Sequence, residues 1–122
     1  MKKADIYLRG QSDSQFAIQK ALVEEYCVKH NITIRKILYD SGAGKSDSSF
    51  WNDYIIGIRL TPGAIDLLIF TEWSRISRDI GEMKKIKGIL SGEKIIPLAI
   101  NESILSVFFL KWTDFQFKIC PN

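Results

Sequence analysis

The stretch Ile65-Asp66-Leu67-Leu68-Ile69-Phe70-Thr71-Glu72-Trp73-Ser74-Arg75-Ile76-Ser77-Arg78 joins a short, almost wholly apolar run to two arginines three residues apart. Such a run is what a strand of a parallel sheet looks like, because helices cover both of its faces. Ligands of these sheets bind in the crevice beyond the carboxyl ends of the strands. Arg75 and Arg78 therefore overhang the place where an anion would sit. They also stand near the start of the helix expected next, where cations oppose the helix dipole. A phosphate held between them would offset that small local cost.

Working outward, the same alternation recurs on both sides. Ala4 to Arg9 reads as a first strand, and Asp13 or Ser14 as the cap of a helix whose spaced apolar residues (Phe16, Ile18, Leu22, Val23, Tyr26 and Cys27) run to about Lys29. Ile32 to Tyr39 is a second strand, followed by a Gly-, Ser- and Asp-rich loop over Asp40 to Ser49. Phe50 to Leu60 places Trp51, Tyr54, Ile55 and Ile58 on one helical face and stops at Thr61-Pro62-Gly63. After the Ile65 to Thr71 strand, Asp79 to Leu90 is helical and Lys94 to Ile100 is a fourth strand. The order β-α-β-α-β-α-β predicts a three-layer α-β-α domain around a mainly parallel sheet with right-handed crossovers.

Composition agrees with one domain. The 122 residues are 46% apolar, enough for a single core, and the net charge of +3 permits a polyanionic partner without requiring one. Cys27 and Cys120 are far apart and no secretory leader precedes them, so reduced thiols in a cytoplasm are expected. His30 lacks Cys or His neighbours, and a structural zinc site is not expected. No apolar run reaches the length of a membrane span. The division expected is a domain over 1–101 and an apolar segment over 102–122 packed on it. In that segment Ile104 to Leu110 and Phe115 to Ile119 form extra strands or one apolar helix, with aromatic density too high for a disordered tail.

Three loops fall on one edge of this sheet: Arg9 ends the first strand, Gly42-Ala43-Gly44-Lys45 follows the second, and Arg75 with Arg78 follows the third. With neighbouring strands these groups converge. Arginine forks hold phosphate oxygens bidentately and stay charged at any working pH, which suits a phosphodiester.

At these residues the chain resembles the serine recombinases, the resolvases and invertases. Tyr7-Leu8-Arg9-Gly10-Gln11-Ser12-Asp13-Ser14-Gln15 is similar to that family's Tyr-x-Arg-Val-Ser-Thr-x-x-Gln opening. Asp40 with Ala43-Gly44-Lys45 resembles its Asp-x-x-Ser-Gly loop, and Ser74-Arg75-Ile76-Ser77-Arg78 its Asp-Arg-Leu-Ser-Arg signature. The three matches keep order and spacing over roughly residues 4 to 101. The resemblance implies a resolvase-like catalytic fold, DNA as partner, and strand exchange through a phosphoserine link, with no metal and no other cofactor. It makes Arg9, Lys45, Arg75 and Arg78 the phosphate ligands, and Arg9, Gln11, Ser12, Asp40, Ser74, Arg75 and Arg78 the occupants of the catalytic positions.

Departures from the pattern bear on chemistry. Gln11 stands at the nucleophilic serine, and an amide cannot form the phosphoester. Ser12, one residue on, would serve only in a re-registered turn, and a displacement of about 1 Å can cost on the order of 100-fold in rate. Ser74 replaces the aspartate beside the arginine, and Ser48 or Ser49 lies where the family has a further arginine. The expected function is a recombinase-type domain with impaired catalysis. The alternative is a non-catalytic module that binds DNA phosphates, forms a homodimer or pairs with an active recombinase. The apolar residues Phe108, Phe109, Leu110, Phe115 and Phe117 suit a surface that a dimer helix covers in the family. A P-loop nucleotide binder is the minor alternative, since the Gly44-Lys45-Ser46 ending demands a glycine where Tyr39 stands. Blander readings compete at single residues: Arg9 as a partner of Asp40, Trp51, Tyr54, Trp73 and Trp112 as core fillers, and His30 as a helix-end dipole partner.

Overall fold

The computed structural model describes residues 2–41, 48–77 and 79–101. The elements follow the expected order: β1 (Lys2–Arg9), α1 (Asp13–Lys29), β2 (Ile32–Asp40), α2 (Ser48–Leu60), β3 (Leu67–Phe70), α3 (Trp73–Ile76), α4 (Ile80–Gly92) and β4 (Ile96–Ala99). The four strands are parallel in the order β2-β1-β3-β4. The chain steps one way from β1 to β2 and the other way from β1's far neighbour β3 to β4. This makes the gap between the ends of β1 and β3 a topological switch point.

Alternation along β1 sorts the core into two layers. Ala4, Ile6 and Leu8 face Val23 and Cys27 of α1 together with Leu67 and Ile69. Tyr7 faces the other way, toward Trp51, Tyr54, Ile55 and Ile58 of α2, Ile86 and Leu90 of α4, and Leu68 and Phe70 of β3. β3 is fully buried along its four residues, which is why its sequence shows no alternation. Trp51 and Tyr54 are core fillers as expected, and Trp73 packs half-buried against the same layer. Thr61-Pro62-Gly63 makes a tight turn in which the Ala64 N–H donates to the Thr61 carbonyl at 3.1 Å, and Gly63 takes the φ of +79° that the turn requires.

Two expectations need correction. The buried seam of α1 is Gln19, Val23 and Cys27, whereas Ile18 and Leu22, expected on that face, are 63% and 38% exposed. The helix is apolar on two sides, and spacing alone does not say which side meets the sheet. The helix cap is Ser12, not Asp13 or Ser14: its Oγ accepts the Gln15 N–H at 3.3 Å, and Asp13 is already in the first turn. The segment 102–122 expected to pack on the domain, with its apolar runs and Trp112, lies outside the described residues.

An ion pair between a buried carboxylate and a partly exposed arginine ties the sheet to α2. Asp5 is fully buried in β1 and takes both oxygens' worth of a bidentate Arg35 fork, from Nε at 2.9 Å and Nη2 at 2.7 Å, plus the Tyr54 hydroxyl at 2.7 Å. Arg35 reaches Asp5 because the β1–β2 register shifts between Ala4 and Asp5, so that Ala4 pairs with Ile34, Asp5 with Lys36, and Arg35 is skipped. Removing Asp5 leaves the guanidinium and the hydroxyl without their shared acceptor. Asp5→Ala should therefore cost about 3–5 kcal/mol in chemical denaturation, against about 1 kcal/mol for Tyr54→Phe, which gives up one neutral donor.

Candidate functional site

The site lies at the carboxyl ends of β2, β1 and β3. Arg9 closes β1 opposite Asp40 of β2, and Gly10 N–H donates to the Asp40 carbonyl at 3.3 Å. The Asp40 carboxylate accepts the Tyr7 hydroxyl at 2.6 Å. Burial, and then the bond to Asp40, push the Tyr7 hydroxyl pKa far above its ordinary 10.0, while the Arg9 guanidinium beside the same hydroxyl pulls the other way. Tyr7 thus stands neutral between the carboxylate and the arginine. It is held there by edge and tilted contacts with Phe50 and Trp51 at 5.4 and 4.9 Å.

Across the switch point, Arg75 lies in the one-turn helix α3 and leans toward β1, its Nη1 3.5 Å from the Arg9 carbonyl oxygen. Its Nε is buried and has no hydrogen bond among the described residues. The nearest carboxylate, Glu72 Oε1, is 3.8 Å away. Glu72, two residues before Ser74, is therefore the acid beside Arg75 in this chain, and it also accepts the Thr71 hydroxyl at 3.3 Å. Ser74 itself is exposed.

Arg75 does not stand at the start of α4, where the sequence reading put it. Arg75 sits in a separate turn, and α4 begins with its own acidic cap, Asp79, whose Oδ1 accepts the Gly81 N–H at 2.9 Å, followed by Glu82. The helix-dipole argument therefore does not extend to Arg75, and the geometric one stands on Arg9 and Arg75. Arg78, Lys45 and the rest of the Gly42 loop lie outside the described residues.

The turn from Arg9 to Ser12 is tightly held. Gln15 Oε1 accepts the Gln11 N–H at 2.6 Å. The Gln19 amide, 3% exposed, brackets Arg9: Oε1 accepts the Arg9 N–H at 3.1 Å, and Nε2 donates to the Arg9 carbonyl at 2.7 Å and to the Gln15 carbonyl at 3.1 Å. Gly10 is required by this packing, since a Cβ there would come within 2.9 Å of Gln15 Cβ. In this register the Gln11 side chain is exposed and Ser12 Oγ is engaged as the helix cap, 3.2 Å from Ser14 Oγ. The sequence reading missed Gln19. The available signal was a polar residue one turn before Val23 on an otherwise apolar seam.

Among the described residues no group of three metal-ligating side chains occurs. No helix among them is long and apolar enough to cross a membrane. His30 caps α1 through its own N–H to the Tyr26 carbonyl at 3.0 Å and lies against the Tyr26 ring.

No family model and no curated protein sequence matches the chain. Solved structures do. The chain is similar to the N-terminal catalytic domain of TP901-1 integrase, with a TM-score of 0.72 at 18% identity over 97% of this chain and 98% of that one. A resolvase family site-specific recombinase from Streptococcus pneumoniae gives 0.71 at 13% identity, covering 93% of this chain and 86% of that one. The C-terminal catalytic domain of ISC1926 TnpA, an IS607-like serine recombinase, gives 0.64 at 17% identity, covering 94% and 82%. The fold is therefore that of serine recombinase catalytic domains, as the sequence motifs implied.

Two outcomes are expected. Gly10→Ala should cost about 1–3 kcal/mol in denaturant unfolding, because the added methyl meets the stem of Gln15 rather than a flexible tip. Burial of the hydroxyls also raises the pKa of both Tyr7 and Tyr54 above 10.0. Folding holds these protons more tightly than the unfolded chain does, so their stabilising contribution is complete below pH 10.0 and is lost as pH rises beyond it. Denaturation at a series of alkaline pH values should show this decline, and Tyr7→Phe should flatten it.

Proposed function

We propose that this chain is a serine-recombinase-type domain that binds DNA through its phosphates and is impaired in strand cleavage. The observation that carries this reading is the pairing of Arg9 and Arg75 across the β1/β3 switch point, with Arg75 Nη1 on the Arg9 carbonyl. Two permanent cations at the mouth of a crevice in this fold suit a phosphodiester. The similar structures include an integrase catalytic domain, a resolvase family site-specific recombinase and the catalytic domain of an IS607-like serine recombinase, which supports DNA as the polymer. Lys45 and Arg78 extend the clamp in this reading.

Impairment follows from the turn. Gln11 holds the position of the nucleophile and its amide cannot become a phosphoester. Ser12 is committed to capping α1, so using it for attack would sacrifice the cap and unseat the Gln15 contact with Gln11. Asp40 is engaged by Tyr7, and Glu72 rather than residue 74 supplies the carboxylate near Arg75. The same surface in a homodimer, or paired with an active recombinase, would hold DNA without cutting it. A cytoplasmic location belongs to this reading.

Fluorescence anisotropy with a labelled duplex should give salt-sensitive, sequence-indifferent binding, and the Arg9→Ala/Arg75→Ala double variant should lower the salt slope by about 2 as two phosphate contacts go. With a nicked suicide substrate the native chain should give no covalent adduct in denaturing electrophoresis. An adduct mapped to Ser12 in the native chain would refute the impairment. Gln11→Ser restores a hydroxyl on the exposed side of the turn and should give a trace of adduct at residue 11.

A further inference from the structure

The geometry points to Gln19 as a positioning residue that sets both arginines of the clamp through the main chain of Arg9. This inference rests on the phosphate-clamp reading above and adds to it a residue that touches no DNA.

A buried amide is costly unless each polar atom is bonded, and an apolar residue would serve equally well if the seam of α1 had only to pack. Val23 and Cys27, the next two positions of that seam, do just that. Gln19 instead spends both amide donors and its oxygen on one strand residue and one turn of its own helix. The reason lies in the sheet. The β1–β3 ladder ends at Ile6 opposite Ile69, three residues before Arg9. β3 itself ends at Phe70, and the N–H and C=O of Arg9 lie beyond the last residue that has a β3 partner. The Gln19 carboxamide, with an acceptor and a donor side by side, takes the place of a peptide group from the missing strand.

Two consequences meet at the same carbonyl. Fixing the Arg9 N–H and C=O fixes the direction in which its side chain leaves the strand end. The Arg9 oxygen that Gln19 holds at 2.7 Å is also the oxygen that Arg75 Nη1 approaches at 3.5 Å. One buried amide therefore sets the spacing of two arginines carried on β1 and on α3. A buried ion pair could not do this without adding charge to the clamp. The amide does it while leaving both guanidiniums available to an anion.

The test compares duplex binding by the full chain at fixed low salt for Gln19→Met, Arg9→Ala/Arg75→Ala, the triple combination, and Val23→Ala as a control that weakens the same helix seam without touching Arg9. Thermal melts establish that each is folded. Should Gln19→Met fail to fold, Gln19→Asn, which keeps the amide but is one methylene too short, replaces it. The expected result is a loss of about fivefold in affinity for Gln19→Met, comparable to losing one neutral hydrogen bond. That loss should disappear in the triple variant, because a residue that acts through the arginines has nothing left to act on. Val23→Ala should bind as the native chain does, even with an equal drop in melting temperature. The inference is overturned if Gln19→Met binds like the native chain while the arginine double variant does not, or if its loss persists undiminished in the triple variant. If the arginine double variant itself binds like the native chain, the clamp reading falls first and this one with it.

Discussion

The short ladder between β1 and β3 governs the molecule. Pairing at Ala4, Asp5 and Ile6 gives the sheet its centre, and the end of that pairing gives it a crevice. A parallel sheet of order β2-β1-β3-β4 carries helices to opposite faces on the two sides of this gap, since the crossovers share one hand. The residues at the ends of β1, β2 and β3 therefore lie together at one edge of the sheet. The location of Arg9 and Arg75 follows from topology before any property of arginine is considered.

Around that opening the protein invests in rigidity. On one sheet face Asp5, Arg35 and Tyr54 lock α2 to β1 and β2, with the Arg35 Nε and Nη2 and the Tyr54 hydroxyl directed at a single carboxylate. On the other face Gln19 and Gln15 hold the turn after β1 by amide groups alone. The division has a physical logic. Charge can be buried in mid-sheet, where it is cancelled within the cluster. Next to an anion site, neutral amides order the chain without competing for the anion.

The fold was legible because β3 and β1 are apolar enough to be strands of nothing but a covered sheet, and because Gly63 and Asp40 end their segments with the expected chemistry. The convergence of Arg9 and Arg75 was legible only on condition that their strands are neighbours, which the order β2-β1-β3-β4 meets. Other parts were hidden for specific reasons. The seam of α1 was misread at Ile18 and Leu22 because a helix with apolar residues on two sides has no unique inward face. The cap of α1 was placed one or two residues late because Ser12, Asp13 and Ser14 all qualify by type, and only backbone geometry chooses among them. The short helix that carries Arg75 was read as loop, because a one-turn helix ending at Ile76 leaves no periodic signature. The Asp5 cluster escaped notice altogether: its two charged members are 30 residues apart and meet only because a bulge turns Arg35 inward.

That bulge also partitions β2 mechanically. A strand whose side chains alternate faces normally transmits any one-residue slip along its whole length, moving every side chain to the opposite face. Here the irregularity at Arg35 separates the first part of β2, which pairs with Lys2 to Ala4, from the second, which pairs with Asp5 to Arg9. An insertion or deletion near Ile32 can be absorbed at the bulge, leaving Asp40 opposite Arg9. The amino-terminal end of the strand is thereby free to drift in sequence and length, while the end that borders the crevice keeps its register.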